Sequence, residues 1–209
     1  MPGCGQVSVV AASNDLDRAA VRASCDEPRA FSPIFERHFE DVRRYLVRRV
    51  GSALGDELAS ETFVRAFDGR RRFDAERGVV RAWLFGIAAN LLRHRARSEE
   101  RRLRAYARSG VDPVVEELEG VPARIDAQRT GPRLAAALAR LSAGEREVVL
   151  LYAWAELSYD EIAVALELPI GTIRSRLSRA RGRLRHELSC GAETYDDPRA
   201  PLALDGRGG

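Results

Sequence analysis

The stretch LSYDEIAVALELPIGTIRSRLSRARGRLR, residues 157–185, decides the fold predicted for this chain. Ser158, followed three residues later by Glu161, forms a capping box that predicts the start of a short helix. Pro169 ends that helix and suits the start of the next, because its φ is near the helical value and it has no N–H to lose. The sequence therefore predicts two helices joined by a tight turn.

The second of these helices has one apolar face and one basic face. Six Arg and a single Glu lie between Ile170 and Leu188, a net charge of +5. Arg can contact phosphates or a guanine edge, and Thr or Ser can approach bases without bulk. The pattern is typical of a helix-turn-helix, and a basic face that contacts only solvent is the alternative. The apolar positions are Ile170, Ile173, Leu177, Ala180 and Leu184, and the outward positions are Thr172, Arg174, Ser175, Arg176, Ser178, Arg179, Arg181 and Arg183.

Composition limits the class of protein. The chain has 209 residues and 45% apolar content, which suits one large or two small domains and excludes disorder throughout. All 34 basic residues are Arg and the net charge is +3, but a GC-rich coding bias would give the same excess. The three Cys lie far apart without CxxC spacing, so neither a disulfide framework nor a zinc site is predicted. No apolar run approaches the roughly 18 residues of a membrane span. We expect a soluble cytoplasmic protein with no membrane contact.

Hydrophobic spacing predicts three helices in the first half, after a mobile tail over residues 1–29. The first begins with Ser32 as cap and ends at Gly51, the second ends at Gly69, and the third contains the run 80–92 and then turns basic. A loop at 70–78 between the last two is basic, holds one aromatic residue and ends in Gly, which suits a nucleic-acid backbone. The apolar stripe of the first helix is Phe35, Phe39, Val42, Leu46 and Val50.

The second half is separated from the first by an acidic segment. Five carboxylates and one Arg lie between residues 112 and 128, with Pro113 and Pro122 as breakers, so residues 109–132 are predicted to be a flexible linker. Ser142 with Glu145 makes a second capping box. We therefore predict an all-α chain with two small helical domains, at 30–108 and 133–188, and a C-terminal tail at 189–209.

The motifs RAWLFGIAAN, residues 81–90, and LSYDEIAVALELPIGTIRSRLSRAR, residues 157–181, occur together and in this order. With their flanking segments they resemble regions 2 and 4 of the bacterial extracytoplasmic-function sigma factors. The resemblance covers roughly residues 31–108 and 133–188. It implies a three-helix region 2 and a helix-turn-helix region 4.

The resemblance implies three sets of site residues. The second helix is expected to bind the clamp coiled coil of the largest subunit of core RNA polymerase, and region 4 the flap of its second-largest subunit. The 70–78 loop and third helix are expected to open and read the −10 promoter element, although Gly86 stands where Arg is common in the family. The last helix is expected to enter the major groove of the −35 element. The residues are Asp56, Glu57, Ser60 and Glu61 for polymerase, Phe73, Arg77, Asn90, Arg93 and His94 for −10, and Thr172, Arg174, Ser175, Arg176 and Arg179 for −35.

The predicted function is that of a transcription initiation sigma factor, with an anti-sigma partner expected from the family. No catalytic residues, metal ligands or cofactor are predicted, because the sequence holds no nucleophile with a base, ligand cluster or glycine-rich phosphate loop. Two alternatives remain open. A helix-turn-helix regulator would bind an operator as a dimer without polymerase, and a helical adaptor would bind only protein.

Overall fold

The structure is a computed structural model that describes residues 4–76, 78–109 and 132–190. Side chains are described for residues 13–76, 78–97, 134 and 136–188. This part of the chain holds no strand, and the prediction of an all-α fold is confirmed. The α-helices are α1 Cys4–Ala23, α2 Ser32–Val50, α3 Ser52–Gly69, α4 Val80–Ser109, α5 Pro132–Ala139, α6 Ala143–Trp154, α7 Tyr159–Leu166 and α8 Ile170–Cys190.

Helix α1 is the main departure from the sequence prediction. The prediction of a mobile tail over residues 1–29 is wrong for the residues described, because Cys4–Ala23 form a helix. Val21 of this helix is 1% exposed and Asp17 is 2% exposed. The Asp17 carboxylate lies 2.5 Å from Nε2 of His38 and also pairs with Arg37, both on α2. The helix is thus anchored by polar contacts to distant residues, which a search for hydrophobic periodicity does not detect.

Helices α2, α3 and α4 match the three helices predicted for the first half. Gly51 ends α2 with a φ of +85°, a left-handed conformation that glycine adopts without steric cost. The buried face of α2 is rotated from the predicted stripe, because Tyr45 is fully buried whereas Phe35 is 44% exposed. Phe35 and Phe39 stack on each other at the surface, with ring centroids 4.5 Å apart.

Both predicted capping boxes are present in the second half. At the start of α6, Glu145 N–H donates to Ser142 Oγ at 3.3 Å, and the Glu145 carboxylate accepts from Ser142 N–H at 3.1 Å. Ser158 and Glu161 form the same pair of bonds at the start of α7. Each box gives partners to N–H groups that have none within the helix, which explains where these two helices begin.

The two halves of the described chain pack directly against each other. Helix α4 approaches α7 so closely that a Cβ on Gly86 would lie 2.8 Å from the carbonyl oxygen of Ala165. Only a residue without a side chain fits there, which gives Gly86 a structural reason independent of promoter sequence. The buried apolar residues form one continuous cluster that includes Leu84 and Phe85 of α4 and Ile162 of α7.

Polar contacts also join the two halves. The Tyr45 hydroxyl donates to the Glu147 carboxylate at 3.1 Å, and Arg49 donates to the same carboxylate at 3.3 Å. Burial raises the pKa of the Tyr45 phenol, so the group stays protonated and acts as a donor. Arg81 donates to the carbonyl oxygen of Ala155 at 2.5 Å, where the end of α6 favours a cation.

Residues 110–131, nearly all of the predicted linker, lie outside the described residues, as do residues 191–209 of the predicted C-terminal tail. Helix α8 reaches Cys190 and so extends slightly into the segment predicted as that tail.

Candidate nucleic-acid and polymerase interfaces

The turn between α7 and α8 sets the direction of the predicted DNA-reading helix. Glu167 ends α7 in the left-handed conformation, with a φ of +54°. The Leu168 N–H then donates to the carbonyl oxygen of Ala163 at 3.0 Å, which closes the last turn of α7. In the first turn of α8, the Thr172 N–H donates to the carbonyl oxygen of Pro169 at 2.8 Å. The turn is therefore short and hydrogen-bonded at both ends.

The apolar and basic faces of α8 lie as the sequence predicts. Ile173, Leu177 and Ala180 are buried against the rest of the second half. The opposite face is accessible, so a nucleic acid could reach it without a change in the fold. Of the predicted −35 residues, Arg174, Ser175 and Arg179 are exposed, and Thr172 and Arg176 are half-buried.

Three arginines of α8 are held against the beginning of α6. Arg183 pairs with the Glu145 carboxylate at 2.9 Å and Arg179 pairs with it at 3.4 Å. The Arg176 guanidinium lies over Gly144, where a Cβ would be 3.0 Å from Nη1. Among the described residues, Arg174 has no such partner. The structure thus distinguishes predicted −35 arginines that contact α6 from one that does not. The sequence pattern does not make this distinction.

Glu145 is a buried carboxylate that the sequence identifies only as a cap. It is 4% exposed. The Ser142 hydroxyl donates to it at 2.8 Å, and this bond, together with the nearby guanidinium groups, holds the pKa of Glu145 below its usual range. The ionised carboxylate therefore both caps α6 and fixes the two arginines of α8.

The loop between α3 and α4 is closed by an aromatic contact. The rings of Phe73 and Trp83 have centroids 4.7 Å apart. The Phe73 ring also covers Gly78, where a Cβ would lie 2.4 Å from the ring. The Gly78 N–H donates to the carbonyl oxygen of Asp74 at 2.7 Å. Phe73 is therefore half-buried between Gly78 and Trp83, and Arg77 lies outside the described residues.

A concavity of about 300 Å³ lies between the C-terminal half of α3, the beginning of this loop and α4. Trp83 offers an aromatic face there, and Asn90 a side-chain amide whose oxygen accepts from Arg93. An aromatic face, an amide and two guanidinium groups are the features that bind an unstacked base and its phosphate. Arg93 and His94 are exposed beside it. The lining residues are Arg65, Gly69, Arg72, Trp83, Ile87 and Asn90.

Sequence reasoning missed Arg65 and Arg72 as members of this site. Arg65 is on the outward face of α3 and Arg72 follows that helix in a short 3-10 turn, Arg70–Arg72. The run of three arginines was a signal for the loop as a whole. Which of them faces the concavity depends on the turn, whose geometry the sequence does not reveal.

The predicted polymerase stripe lies along α3 and is exposed except at Glu61, which is half-buried, but its acidic residues are paired. Asp56 accepts from Arg43 at 2.8 Å, Glu57 from Arg95 at 3.2 Å, and Glu61 from Arg65 at 2.6 Å. Exposed pairs of this kind contribute little to stability, so a binding partner can replace them at low cost. The stripe is therefore a mixed-charge surface rather than an uncompensated acidic patch. Its fourth residue, Ser60, donates to the carbonyl oxygen of Asp56 at 3.0 Å.

An apolar groove borders this stripe and was not predicted. Val64 is 60% exposed, and Phe35, Phe39 and Phe63 form a cluster of ring contacts beside it. Ser60 lines both the groove and the acidic stripe, which makes the two surfaces continuous. The sequence places Phe35 and Phe39 on the apolar stripe of α2, and helical spacing is the same for a buried and for an exposed stripe.

The described residues contain no cluster of three or more His, Cys, Asp or Glu side chains placed to hold a metal ion. No helix of the described chain is both long enough and apolar enough to cross a membrane.

Comparisons with known proteins match both halves. A family model described as Sigma-70 region 2 matches residues 34–102, and one described as Sigma-70, region 4 matches residues 132–184. The chain is similar to the ECF RNA polymerase sigma factor SigC of Mycobacterium tuberculosis, with 34% identity over 173 residues that cover 79% of this chain and 86% of SigC.

Two solved structures are also similar. CnrH in complex with the cytosolic domain of CnrY has 26% identity and a TM-score of 0.59, and the match covers 84% of this chain and 98% of CnrH. The sigma factor RpoE of Bartonella quintana, in complex with the anti-sigma factor NepR, has 24% identity and a TM-score of 0.57. That match covers 76% of this chain and 96% of RpoE, and it shows the fold alone.

Proposed function

The chain belongs to the extracytoplasmic-function sigma factors of RNA polymerase, and we propose that α3, the concavity beside Asn90 and α8 are its surfaces for polymerase, the −10 element and the −35 element. As a member of this family it is a transcription initiation factor that binds core RNA polymerase and directs it to promoters. The observation that carries the residue assignment is that two separate basic sites are both accessible. One is the concavity that contains the Trp83 ring, and the other is the outward face of α8 in the helix-turn-helix.

On the −35 side, Arg174 and Ser175 contact base edges. Helix-turn-helix proteins read bases with the N-terminal residues of the second helix, and these two residues lie near the beginning of α8. Arg176 and Arg179 lie against the beginning of α6 and contact phosphates, which carry no base information, and Arg179 does so in exchange for its pair with Glu145. Thr172 supports Ser175, whose hydroxyl donates to the Thr172 carbonyl oxygen at 3.0 Å.

On the −10 side, an unstacked base of the non-template strand enters the concavity against Trp83. Asn90 provides hydrogen bonds to the base edge, and Arg65 and Arg72 lie close enough to contact the backbone phosphates. Phe73 acts as the support of the Trp83 ring, while Arg93 orients the Asn90 amide and His94 extends the basic surface along α4. Base stacking on an aromatic side chain contributes about 1–3 kcal/mol, so Trp83 is the main source of affinity here.

Core polymerase binds the α3 stripe together with the apolar groove. Ser60 belongs to both surfaces, and the exposed side chains of Phe35 and Val64 supply apolar area that Asp56 and Glu57 alone would not. The charged residues contribute orientation and rate of association more than affinity. The flap of the second-largest subunit is the expected contact of the second half.

The packed arrangement of the halves separates on the promoter. Asn90 and Arg174 lie at most about 45 Å apart here. Gly86 and Ala165 are in contact, and only short stretches of chain join Gly86 to Asn90 and Ala165 to Arg174. The −10 and −35 elements are centred roughly 25 base pairs apart, which is about 85 Å along straight B-DNA. One packed molecule therefore cannot read both elements at once.

An anti-sigma partner fits the same reasoning. The matched CnrH structure is a complex with the cytosolic domain of CnrY. A partner that binds both halves of this chain in their packed arrangement would prevent promoter binding.

The protein acts in the cytoplasm, where core polymerase is found, and it catalyses no reaction of its own.

Transcription by core polymerase plus the purified chain tests this function. Sequencing of the transcript 5′ ends made on fragmented genomic DNA is expected to yield start sites that share a −10 and a −35 element. Asn90→Ala should relax base preference in the −10 element alone, and Arg174→Ala in the −35 element alone, each by about 1–3 kcal/mol at one position. Each variant is the control for the other. A chain that directs no initiation, yet protects a palindromic operator without polymerase, would instead be a dimeric regulator.

A further inference from the structure

One face of α1 lies along the loop between α3 and α4. Asn14, Arg18 and Arg22 are spaced by four residues and so share that face. The Arg18 guanidinium donates to the carbonyl oxygen of Ala75 at 2.5 Å, and Arg22 pairs with Glu76. The loop that borders the −10 concavity is therefore supported from behind by a helix that no motif predicts.

Asn14 makes the most directional of these contacts. Its Nδ2 donates to the carbonyl oxygen of Gly78 at 3.3 Å, and its Oδ1 accepts from the Val80 N–H at 3.1 Å. A donor and an acceptor on opposite sides define the orientation of the amide. Val80 is the first residue of α4, so its N–H has no partner within the helix. Asn14 thus caps α4 from another helix, 66 residues away in the chain.

The position of Gly78 is coupled to the aromatic wall of the concavity. The Phe73 ring covers Gly78 closely enough to leave no room for a Cβ, and it packs on Trp83. A shift of the Gly78 backbone must therefore move the Phe73 ring or break its contact. Trp83 and Asn90 both line the concavity from α4, whose beginning Asn14 caps.

We propose that Asn14 is a positioning residue for promoter melting. It fixes the end of the 70–79 loop against the beginning of α4, and so holds the Phe73 ring that supports Trp83, the residue on which an unstacked base is captured. This inference rests on the proposed role of the concavity in reading the −10 element. Arg22 contributes less, because its pair with Glu76 is exposed on both sides.

A purely structural role for Asn14 is the competing explanation, and the anchors of α1 separate the two. Val21 is buried, and Asp17 is buried in contact with His38 and Arg37. None of these contacts involves Asn14 or the loop. The helix should therefore stay on α2 when Asn14 is replaced, while the end of the loop loses its contacts at Gly78 and Val80.

The experiment compares Asn14→Ala, Asn14→Asp and the wild-type chain, each in holoenzyme with core polymerase. Leu16→Ala is the matched control, since Leu16 lies on the same helix and is 64% exposed. Binding of a single-stranded oligonucleotide with the non-template −10 sequence is measured by fluorescence anisotropy, and melting by permanganate reactivity of thymines. Core-polymerase affinity and thermal unfolding of the free chain are measured in parallel.

Asn14→Ala should bind the oligonucleotide roughly tenfold more weakly, because two hydrogen bonds that position the loop are lost. The core-polymerase affinity of Asn14→Ala should match that of the wild type. The control Leu16→Ala should match the wild type in both oligonucleotide binding and polymerase affinity. Asn14→Asp should recover part of the loss, because its carboxylate still accepts from the Val80 N–H but cannot donate to Gly78.

Two results would overturn the positioning role of Asn14. One is wild-type oligonucleotide binding and melting by Asn14→Ala. The other is a loss of polymerase affinity and thermal stability in Asn14→Ala as large as its loss of oligonucleotide binding, which would make the residue structural. A wild-type holoenzyme that neither initiates nor binds the oligonucleotide would instead refute the function proposed for the concavity, and this inference with it.

Discussion

Glu145 shows how one side chain couples the capping of a helix to the arrangement of a DNA-binding surface. Its carboxylate accepts from Ser142 at the start of α6 and pairs with Arg179 and Arg183 of α8. DNA phosphates would compete with that carboxylate for the same guanidinium groups. The strength of non-specific DNA binding should therefore depend on a residue that does not contact DNA.

Glu145→Gln should strengthen the salt dependence of DNA binding. The amide oxygen can still accept the capping bonds, but the two arginines lose their ion pairs and become free to neutralise phosphates. Each additional phosphate contact makes the log-log salt slope steeper by about 0.9. We expect a slope steeper by about 1 to 2, measured by anisotropy on a duplex of random sequence.

Asp160→Asn is the control, because it removes the same charge from an exposed residue of α7 that forms no ion pair with α8. Its slope should stay close to that of the wild type. If both variants shifted the slope equally, overall charge rather than release of the two arginines would be the cause.

The same carboxylate predicts how stability depends on pH. The Ser142 hydroxyl and the arginines lower the pKa of Glu145 in the folded state, so its contribution to stability is complete above the ordinary Glu value of about 4.3. That contribution is lost as pH falls through the lowered pKa. The difference in unfolding free energy between wild type and Glu145→Gln should therefore be constant from pH 5 to 7 and shrink on acidification. Urea denaturation at several pH values measures it, and a difference that grew below pH 4 would contradict the assignment.

Residues with local partners are the ones that the sequence predicts well. Both capping boxes are readable because donor and acceptor are three residues apart. Phe35 belongs to the predicted apolar stripe of α2 yet is exposed, because spacing reveals that a helix has an apolar stripe but not whether another element covers it. Asn14 bonds to residues more than 60 positions away, and Arg65 faces the concavity only because α4 brings Trp83 and Asn90 beside it, so no local pattern identifies either role.

At the scale of elements, the α7–α8 turn is held by a residue in an unfavourable conformation. Glu167 has a φ of +54°, where a Cβ is crowded and glycine is not. Glu167→Gly should therefore raise the unfolding free energy by about 0.5–1 kcal/mol, once the entropy of the more flexible unfolded chain is subtracted. Thermal and urea denaturation of the full chain measure this change.

Ala163→Gly is the matched control in the same short helix. There glycine replaces a residue with ordinary helical φ, so stability should fall by about 1 kcal/mol. An equal loss in both variants would mean that Glu167 stabilises the turn through its side chain, contrary to the argument from φ.

The order and type of the elements were predictable wherever apolar spacing is strong. Helices α2, α3, α6, α7 and α8 all carry such spacing, and they occur as predicted. Helix α1 was missed because most of its specific contacts are polar and Val21 is its one large buried apolar side chain among the described residues. Asp17 pairs with α2, and Asn14 and Arg18 bind a loop, so each of these residues resembles an ordinary exposed side chain when only the sequence is read.

At the scale of the whole molecule, the packing of the two halves could not be read from either half. Tyr45 and Glu147 lie 102 residues apart, and their bond forms only when α2 meets α6. Gly86 was interpreted by its place in a promoter-reading motif, where family members often carry Arg. The structure adds that its missing side chain permits contact between α4 and α7.

Gly86→Ala should open this interface. A Cβ at Gly86 would lie 2.8 Å from the carbonyl oxygen of Ala165 and 3.3 Å from its Cα, so the two helices must move apart. Small-angle scattering of the free chain should show a larger radius of gyration, with unchanged helix content by circular dichroism. Gly182→Ala is the matched control, because no atom lies within 4 Å of a Cβ there.

The opened variant should also bind core polymerase more tightly. If only the separated halves can engage polymerase, the apparent Kd equals the intrinsic value divided by the fraction of molecules that are open. A variant that is already open removes that factor, so affinity for core polymerase without DNA should rise while Gly182→Ala stays at the wild-type value. Affinity for a short −35 duplex should not change, since the outward face of α8 is accessible in the packed arrangement. Expansion of the chain with no gain in polymerase affinity would mean that the packed form binds polymerase as well as the open form does.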